Sequence, residues 1–521
     1  MPASTPPSSV PTPVVLLDGG PLSIEQVEAV ARFGTRVEVS PTARGRVAAA
    51  RRALESAIAT HEPLYGVNTG FGSLSRTRIA DADLRDVQRN LVRSHAAGVG
   101  RALPVDVVRA MMLLLAGSLC RGHSGVREPV VDGLVGMLNA GITPVVPESG
   151  SVGASGDLAP LSHAALVLIG GGEATLADGG RVAGGGALRG AGLRPVELGA
   201  KEGLALINGT HLMAAQGALL AADVERVFGA ALAAAAMSID ACRGTDAFLD
   251  PRVYVARAQP GPAQVAARLA GLMRGSQIVP SHLHNDPRVQ DPYSLRCAPI
   301  VLGAAWDAMG YVRGAVEREL GAVTDNPLVF PEGGADAHDV VVSAGCFHGM
   351  PMAIPLDALA IALSHVAGIS ERRVYYILSA SDEQNPLNAY LSPQPGLHSG
   401  LMIVQYTAAA LCNEMIGLAT PASVSNIPTS AGMEDYNSFG PRAAAKARRS
   451  LDLCTSVVAI ELLTAAEAME YQRPLKSGAG VEAAHEAVRS VAPRLVADRS
   501  PSPDIEAIEG LIRAGRFVGG W

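Results

Sequence analysis

Residues 211–242 read HLMAAQGALLAADVERVFGAALAAAAMSIDAC, an unbroken run without proline in which alanine and leucine dominate. Both residues stand near the top of the helix-propensity order, so the segment reads as a helix of many turns. It is apolar over most of its circumference, which suits a helix buried in a bundle or held at a subunit interface. Residues 299–323, 351–378, 401–418 and 442–471 have the same character, and Pro/Gly-rich loops separate them. The fold class that follows is mostly α, with a long-helix central bundle.

Ahead of residue 210 the pattern is less regular. Residues 1–14 form a Pro/Ser/Thr-rich stretch expected to be a flexible tail. Helical patterning covers about 22–59, with Ser23 and Ser40 as candidate N-caps, then 81–95 and 104–121. Residues 63–72, PLYGVNTGFG, hold too many glycines for a helix and read as a loop. Asp178-Gly179 predicts a hairpin turn within 173–183, and Gly184-Gly185-Gly186 beside it reads as a linker. The expected organisation is a tail at 1–14, an N-terminal domain at 15–210 and a helical region at 211–521.

Of 521 residues, 48% are hydrophobic and 17% charged, so the chain has ample material for a core. The net charge of −7 and the lack of a Lys/Arg-rich block argue against nucleic acid or an anionic membrane as partner. The apolar runs at Met111–Leu115 and Ala230–Met237 are too short to span a bilayer. Six scattered cysteines without a Cys-x-x-Cys pair suit reduced, mostly buried thiols in a cytoplasmic protein.

Chemistry is concentrated in the loops. Ala154-Ser155-Gly156 lies within GSVGASGDLAPL, residues 150–161. Such a run is either a surface turn or something more unusual. Gly156 has no side chain to shield its nitrogen, so a sharp turn can press that nitrogen against the Ala154 carbonyl carbon. Ring closure with loss of two waters, one from the Ser155 side chain, leaves an exocyclic methylene on an imidazolone. No standard side chain offers such an electrophile.

The other candidates carry two readings each. Tyr65 is a packed aromatic or part of a loop closing over a site, and His95 is a structural histidine at a helix end or a ligand reader. Asn208 is a turn-former or a site amide. Gln290, Tyr293 and Arg296 share one short loop, where Arg296 either clamps a carboxylate or holds the loop through an ion pair. Cys346-Phe347-His348 offers a thiol nucleophile or an aromatic wall. Glu434 and Asp435 are adjacent carboxylates that a loop points apart, against a two-carboxylate glycosidase. Ser281-His282-Leu283-His284 has no third ligand at useful spacing, so no metal is expected.

In order, these motifs (YGxNTGFG, SHAAG, ASGDLAPL, NGT, QDxYSLR, ED) resemble the aromatic amino acid ammonia-lyase family, from about residue 15 to beyond 470. The resemblance implies a mostly α homotetramer whose sites draw on several subunits. It implies a 4-methylidene-imidazol-5-one group formed from Ala154, Ser155 and Gly156, with no external cofactor. Tyr65 then matches the catalytic base and Arg296 the binder of the substrate carboxylate. Asn208, Gln290 and Tyr293 match neighbours of the prosthetic group and carboxylate, Phe347 a pocket wall, and Glu434 an acid facing the amine or ring.

Ser94-His95, Glu434 and His348 agree best with the branch acting on histidine, where His95 hydrogen-bonds the ring. The expected reaction is loss of ammonia from L-histidine to give trans-urocanate. A 2,3-aminomutase or a lyase for another aromatic amino acid shares the same motifs, and an inactive helical scaffold is the remote alternative. Four positions depart from that branch: Cys346 replaces Asn, Met433 and Ala298 each replace Gln, and Tyr436 replaces His.

Overall fold

The computed structural model describes residues 14–284, 286–334 and 336–518, so all but one position of the expected tail lies outside the described residues. The mostly α expectation holds, and the few strands are all short. The described residues fall into two compact units that interleave along the chain, one drawn from 14–219, 315–354 and 422–444 and the other from the remainder. The expected continuous boundary at 210 therefore differs from the observed division. Its first crossover, at Leu219–Leu220, falls inside the helix His211–Ala241.

In the first unit, the pattern over 22–59 resolves into helices Ile24–Phe33 and Pro41–Ile58. The strand Arg36–Val39 lies between them and pairs in parallel with Val14–Leu17. Both predicted caps form. Ser23 and Gln26 make a reciprocal capping box, and Ser40 accepts from the Ala43 amide. In the helix Val105–Leu119 of this unit, every residue from Val107 to Leu119 is buried.

The hairpin forms with strands Glu173–Thr175 and Arg181–Ala183. Gly184-Gly185-Gly186 is a correction: it opens the helix Gly184–Gly190 instead of acting as a linker. Gly184 has a packing reason, because a Cβ there would overlap the Gly171 carbonyl. Nearby, the helix Leu158–Leu168 carries the Ala-Ser-Gly turn at its N-terminal end.

The second unit is built from the predicted long segments. Its part of His211–Ala241 meets Ala298–Glu319 through the Phe228–Trp306 stack at 4.9 Å and Gly440–Met469 through the Ser238–Glu461 hydrogen bond, and Gln405 of Met402–Leu418 donates to Glu371 of Met350–Ser379 at 2.8 Å. Ala230–Ala236 are almost wholly buried, and side chains this small let neighbouring helices approach closely. Arg373 and Glu461 form a fully buried ion pair, and Glu461 also accepts from Ser238 and Ser370. Such a pair holds helix register only while its remaining hydrogen bonds are satisfied.

Among the described residues, Met350–Ser379 is the one helix long and apolar enough to cross a membrane, by length and composition only. Of its most apolar window, 61% is buried inside the protein, as in a core helix.

Candidate active site

A cavity of about 990 Å³ opens within the first unit. Tyr65, His95, Ala154, Ser155, Asn208, Phe347 and Glu434 all line it, so seven of the sequence-predicted residues share one space. Gly156 is buried immediately behind Ser155.

The turn beneath Ser155 is tightly held. Gly156 has φ +72°, a left-handed conformation that favours glycine. It forms a parallel bridge with Gly209, and a Cβ at Gly156 would overlap the Gly209 carbonyl. The Gly209 amide donates to the Ser155 carbonyl at 3.3 Å, and the Asp157 amide donates to the Gly209 carbonyl at 2.7 Å. Gly153 receives the Ser438 hydroxyl on its carbonyl at 2.9 Å.

Asp157 anchors this turn to the long helix that follows. Its carboxylate accepts from the amides of Leu212 and Met213 at 2.8 and 3.1 Å, and from the Ser151 hydroxyl at 3.1 Å. The two amides sit at the N-terminus of His211–Ala241, where unsatisfied amides favour negative charge. Burial is the larger influence and pushes the Asp157 carboxyl up to about 7.

Ser155 donates its hydroxyl to Glu434 at 3.1 Å. The other carboxylate oxygen of Glu434 accepts from the Thr429 hydroxyl at 2.8 Å, and main-chain bonds between Thr429 and Glu434 fix the loop. The phenolic oxygen of Tyr65 accepts the Gly72 amide at 3.3 Å. Its loop is tied down by Asn68, whose side chain accepts from Leu64 and donates to the Glu62 carbonyl.

His95 ends the helix Leu84–His95. Its Nδ1 lies 2.9 Å from the Leu91 carbonyl and 3.0 Å from the Ser94 hydroxyl. A carbonyl only accepts, so the neutral ring carries its proton on Nδ1 and keeps Nε2 as an acceptor. Burial lowers the His95 pKa, which favours that neutral form.

Gln290, Tyr293 and Arg296 belong to the second unit and form a cluster of their own. Arg296 donates to the Asp291 carbonyl at 2.9 Å and to the Gln290 side chain at 2.7 Å, and stands over the Tyr293 ring at 4.6 Å. Tyr293 is 71% exposed. Asp291 shapes the loop by accepting from both the amide and the hydroxyl of Thr245.

The departures fall in different settings. Ala298 is fully buried, whereas Met433, Tyr436 and Cys346 are exposed. His348 is held by the main-chain carbonyl of Tyr436 at 3.0 Å, a bond any residue there supplies. Among the described residues no group of three or more His, Cys, Asp or Glu is placed to hold a metal. His282 is instead buried and bound to Asp286 at 3.1 Å.

The sequence reading missed Asn326, Ser343 and Thr429 as supports. Asn326 was findable only as a polar residue inside the turn-like Thr324-Asp325-Asn326-Pro327. Its partner Asn208 lies 118 positions away, and Ser343 and Ala344 lie 17 and 18 positions away.

A family model described as aromatic amino acid lyase matches residues 22–490, and the chain belongs to that family of carbon–nitrogen lyases. Among its relatives, a histidine ammonia-lyase of Anaeromyxobacter sp. (strain K) is 49% identical over 510 residues, covering 96% of this chain and 99% of that protein. The crystal structure of histidine ammonia-lyase from Trypanosoma cruzi superposes with a TM-score of 0.89 at 38% identity, covering 97% of this chain and 94% of that one. Tyrosine aminomutase from Streptomyces globisporus reaches 0.90 at 34% identity, covering 96% and 97%.

Proposed function

We propose that the chain is a histidine ammonia-lyase, which eliminates ammonia from L-histidine to give trans-urocanate. The observation that carries this reading is that Tyr65, His95, Ser155, Asn208 and Glu434 line one cavity. The relatives named histidine ammonia-lyase support the choice of substrate.

The Ala154-Ser155-Gly156 turn fits conversion to 4-methylidene-imidazol-5-one. Gly156 is bare where a Cβ would collide, its φ is positive, and the Ser155 hydroxyl lies in the cavity. Buried Asn208 Oδ1, with no partner among the described residues, leaves an acceptor on the residue before Gly209. Once formed from these residues, the group would supply an electrophilic carbon for the substrate amine, making nitrogen a better leaving group.

The side chains divide the remaining work. His95 Nε2 accepts the imidazole N–H and so selects a ring that carries a donor. Tyr65 takes the β-proton on its phenolic oxygen, which the Gly72 amide holds in place. Glu434 faces the amine from a position set by Thr429. Phe347 closes a wall of the cavity.

Arg296, Gln290 and Tyr293 bind the substrate carboxylate, and we propose that they complete the cavity from another copy in a homotetramer. Their preassembled, exposed cluster supports this, as do Ile403, Tyr406 and Ile416 exposed along Met402–Leu418.

The test is incubation with histidine, tyrosine and phenylalanine, following conjugated ultraviolet-absorbing products and β-amino acids. Urocanate from histidine is expected; its absence refutes the reading. A β-amino acid product would instead establish an aminomutase, the outcome that likeness to tyrosine aminomutase keeps in view.

A further inference from the structure

Lys201 and Asp325 form a buried ion pair that no step of the proposed reaction uses. Lys201 is 0% exposed and Asp325 2%. Lys201 Nζ donates to Asp325 Oδ2 at 2.6 Å and to the Ser124 carbonyl at 3.0 Å. Burying two charges is costly unless geometry and hydrogen bonds compensate, and here the free carboxylate oxygen is also engaged. Asp325 Oδ1 accepts the Asn326 amide at 2.6 Å.

Asn326 in turn reaches two walls of the cavity. Its main-chain carbonyl accepts from Asn208 Nδ2 at 3.1 Å. Its side chain accepts the Ala344 amide at 2.7 Å and donates to the Ser343 hydroxyl at 3.3 Å. Asn208, Ser343 and Ala344 all line the cavity, and Phe347 follows in the same loop.

The bond to Asn208 also fixes chemistry. Because the Asn326 carbonyl only accepts, the Asn208 amide must turn its Nδ2 toward it. That leaves Oδ1 as a buried acceptor with no partner among the described residues. Segment 201–208 and residues 325–326 are thus joined twice, by the ion pair at one end and by Asn208 at the other. A short helix, Glu202–Ile207, spans the interval and contributes Leu204 and Ile207 to the cavity.

We propose that Lys201 and Asp325 are positioning residues. Through Asn326, they fix the orientation of the Asn208 amide and the seat of the Ser343–Phe347 wall. The part they play in turnover rests on the lyase reading above, while the positioning itself does not.

Hydrogen exchange on the full-length protein tests the positioning without substrate. Lys201→Met removes the donor and should speed exchange by about tenfold in peptides covering 204–212 and 343–348. The helix Leu158–Leu168 should keep its wild-type protection. Unchanged exchange at 343–348, or equal acceleration throughout the first unit, overturns the proposal.

Should Lys201→Met fail to fold, Lys201→Gln carries the test, since it keeps an N–H donor without the charge. A smaller acceleration confined to the same two peptides is then expected, and uniform acceleration again overturns the proposal. With L-histidine, Lys201→Met should lower kcat in wild-type protein but have little further effect in an Asn208→Ala background. Independent losses in the two backgrounds contradict action through Asn208. A wild-type protein inactive on histidine refutes the substrate reading alone, leaving the exchange result to decide the positioning.

Discussion

The Ser155 hydroxyl and the Glu434 carboxylate meet at 3.1 Å although 279 positions separate them in the chain. The contact brings the residue that would carry the electrophile against the acid expected to face the substrate amine. Glu434 reaches Ser155 because Thr429 grips its second oxygen and the loop is closed by main-chain bonds.

Glu434→Gln keeps the shape and removes the charge. Histidine turnover should fall by about a hundredfold, the usual scale for losing a positioned acid or base. Steady-state kinetics checks this, with a melting curve expected to match wild type. Undiminished kcat would mean the carboxylate charge has no part in the reaction.

His95→Leu removes an acceptor that the Leu91 carbonyl and Ser94 hold in one tautomer. A site built to hydrogen-bond a ring N–H loses discrimination when the partner is gone. We expect histidine kcat/KM to drop by roughly 10- to 100-fold. Phenylalanine turnover, if measurable, should change far less. Equal kinetics on histidine would remove His95 from ring recognition.

Gly156→Ala tests the backbone of the turn. The added Cβ meets the Gly209 carbonyl and demands a left-handed alanine, which costs about 1–2 kcal/mol before any overlap. The variant should retain its helical content while failing to lose water from the turn, as intact mass and circular dichroism would show. Full water loss would contradict the need for a bare nitrogen.

His211 predicts a pH dependence of stability. Among the described residues neither of its ring nitrogens has a hydrogen-bond partner, and burial pushes its pKa down to about 3. Below about pH 6.5 the unfolded chain binds a proton there that the folded chain refuses. Its contribution to stability is therefore present above pH 6.5 and lost as pH falls toward 3, by about 1.4 kcal/mol per unit. Asp157, pushed up to about 7, acts in the opposite sense, so comparison with His211→Leu is needed to isolate the histidine. Denaturant unfolding between pH 7 and 4.5 should show the variant gaining on wild type as pH falls. A constant difference would contradict a buried neutral imidazole.

Long helices were legible because alanine and leucine runs need no distant information. The helix expected over 211–242 is observed as His211–Ala241, and Ser23 and Ser40 cap as their local pattern requires. Gly184–Gly190 was not legible, since three glycines disfavour a helix and only close packing against Gly171 favours it. Motif order brought Tyr65, His95, Ser155, Asn208 and Glu434 into one reading, and the fold places them around one cavity. The supports stayed hidden for a physical reason. Lys201 and Asp325 are 124 positions apart, and neither spacing nor periodicity reveals a pair formed only by tertiary packing.

The most direct test of the central claim is the intact mass of fresh, folded wild-type protein beside Ser155→Ala. The wild-type mass should lie two waters below that of the sequence, and the variant should retain its alanine side chain and lack most activity. A wild-type protein at its full sequence mass, correctly folded and still eliminating ammonia, would contradict the account.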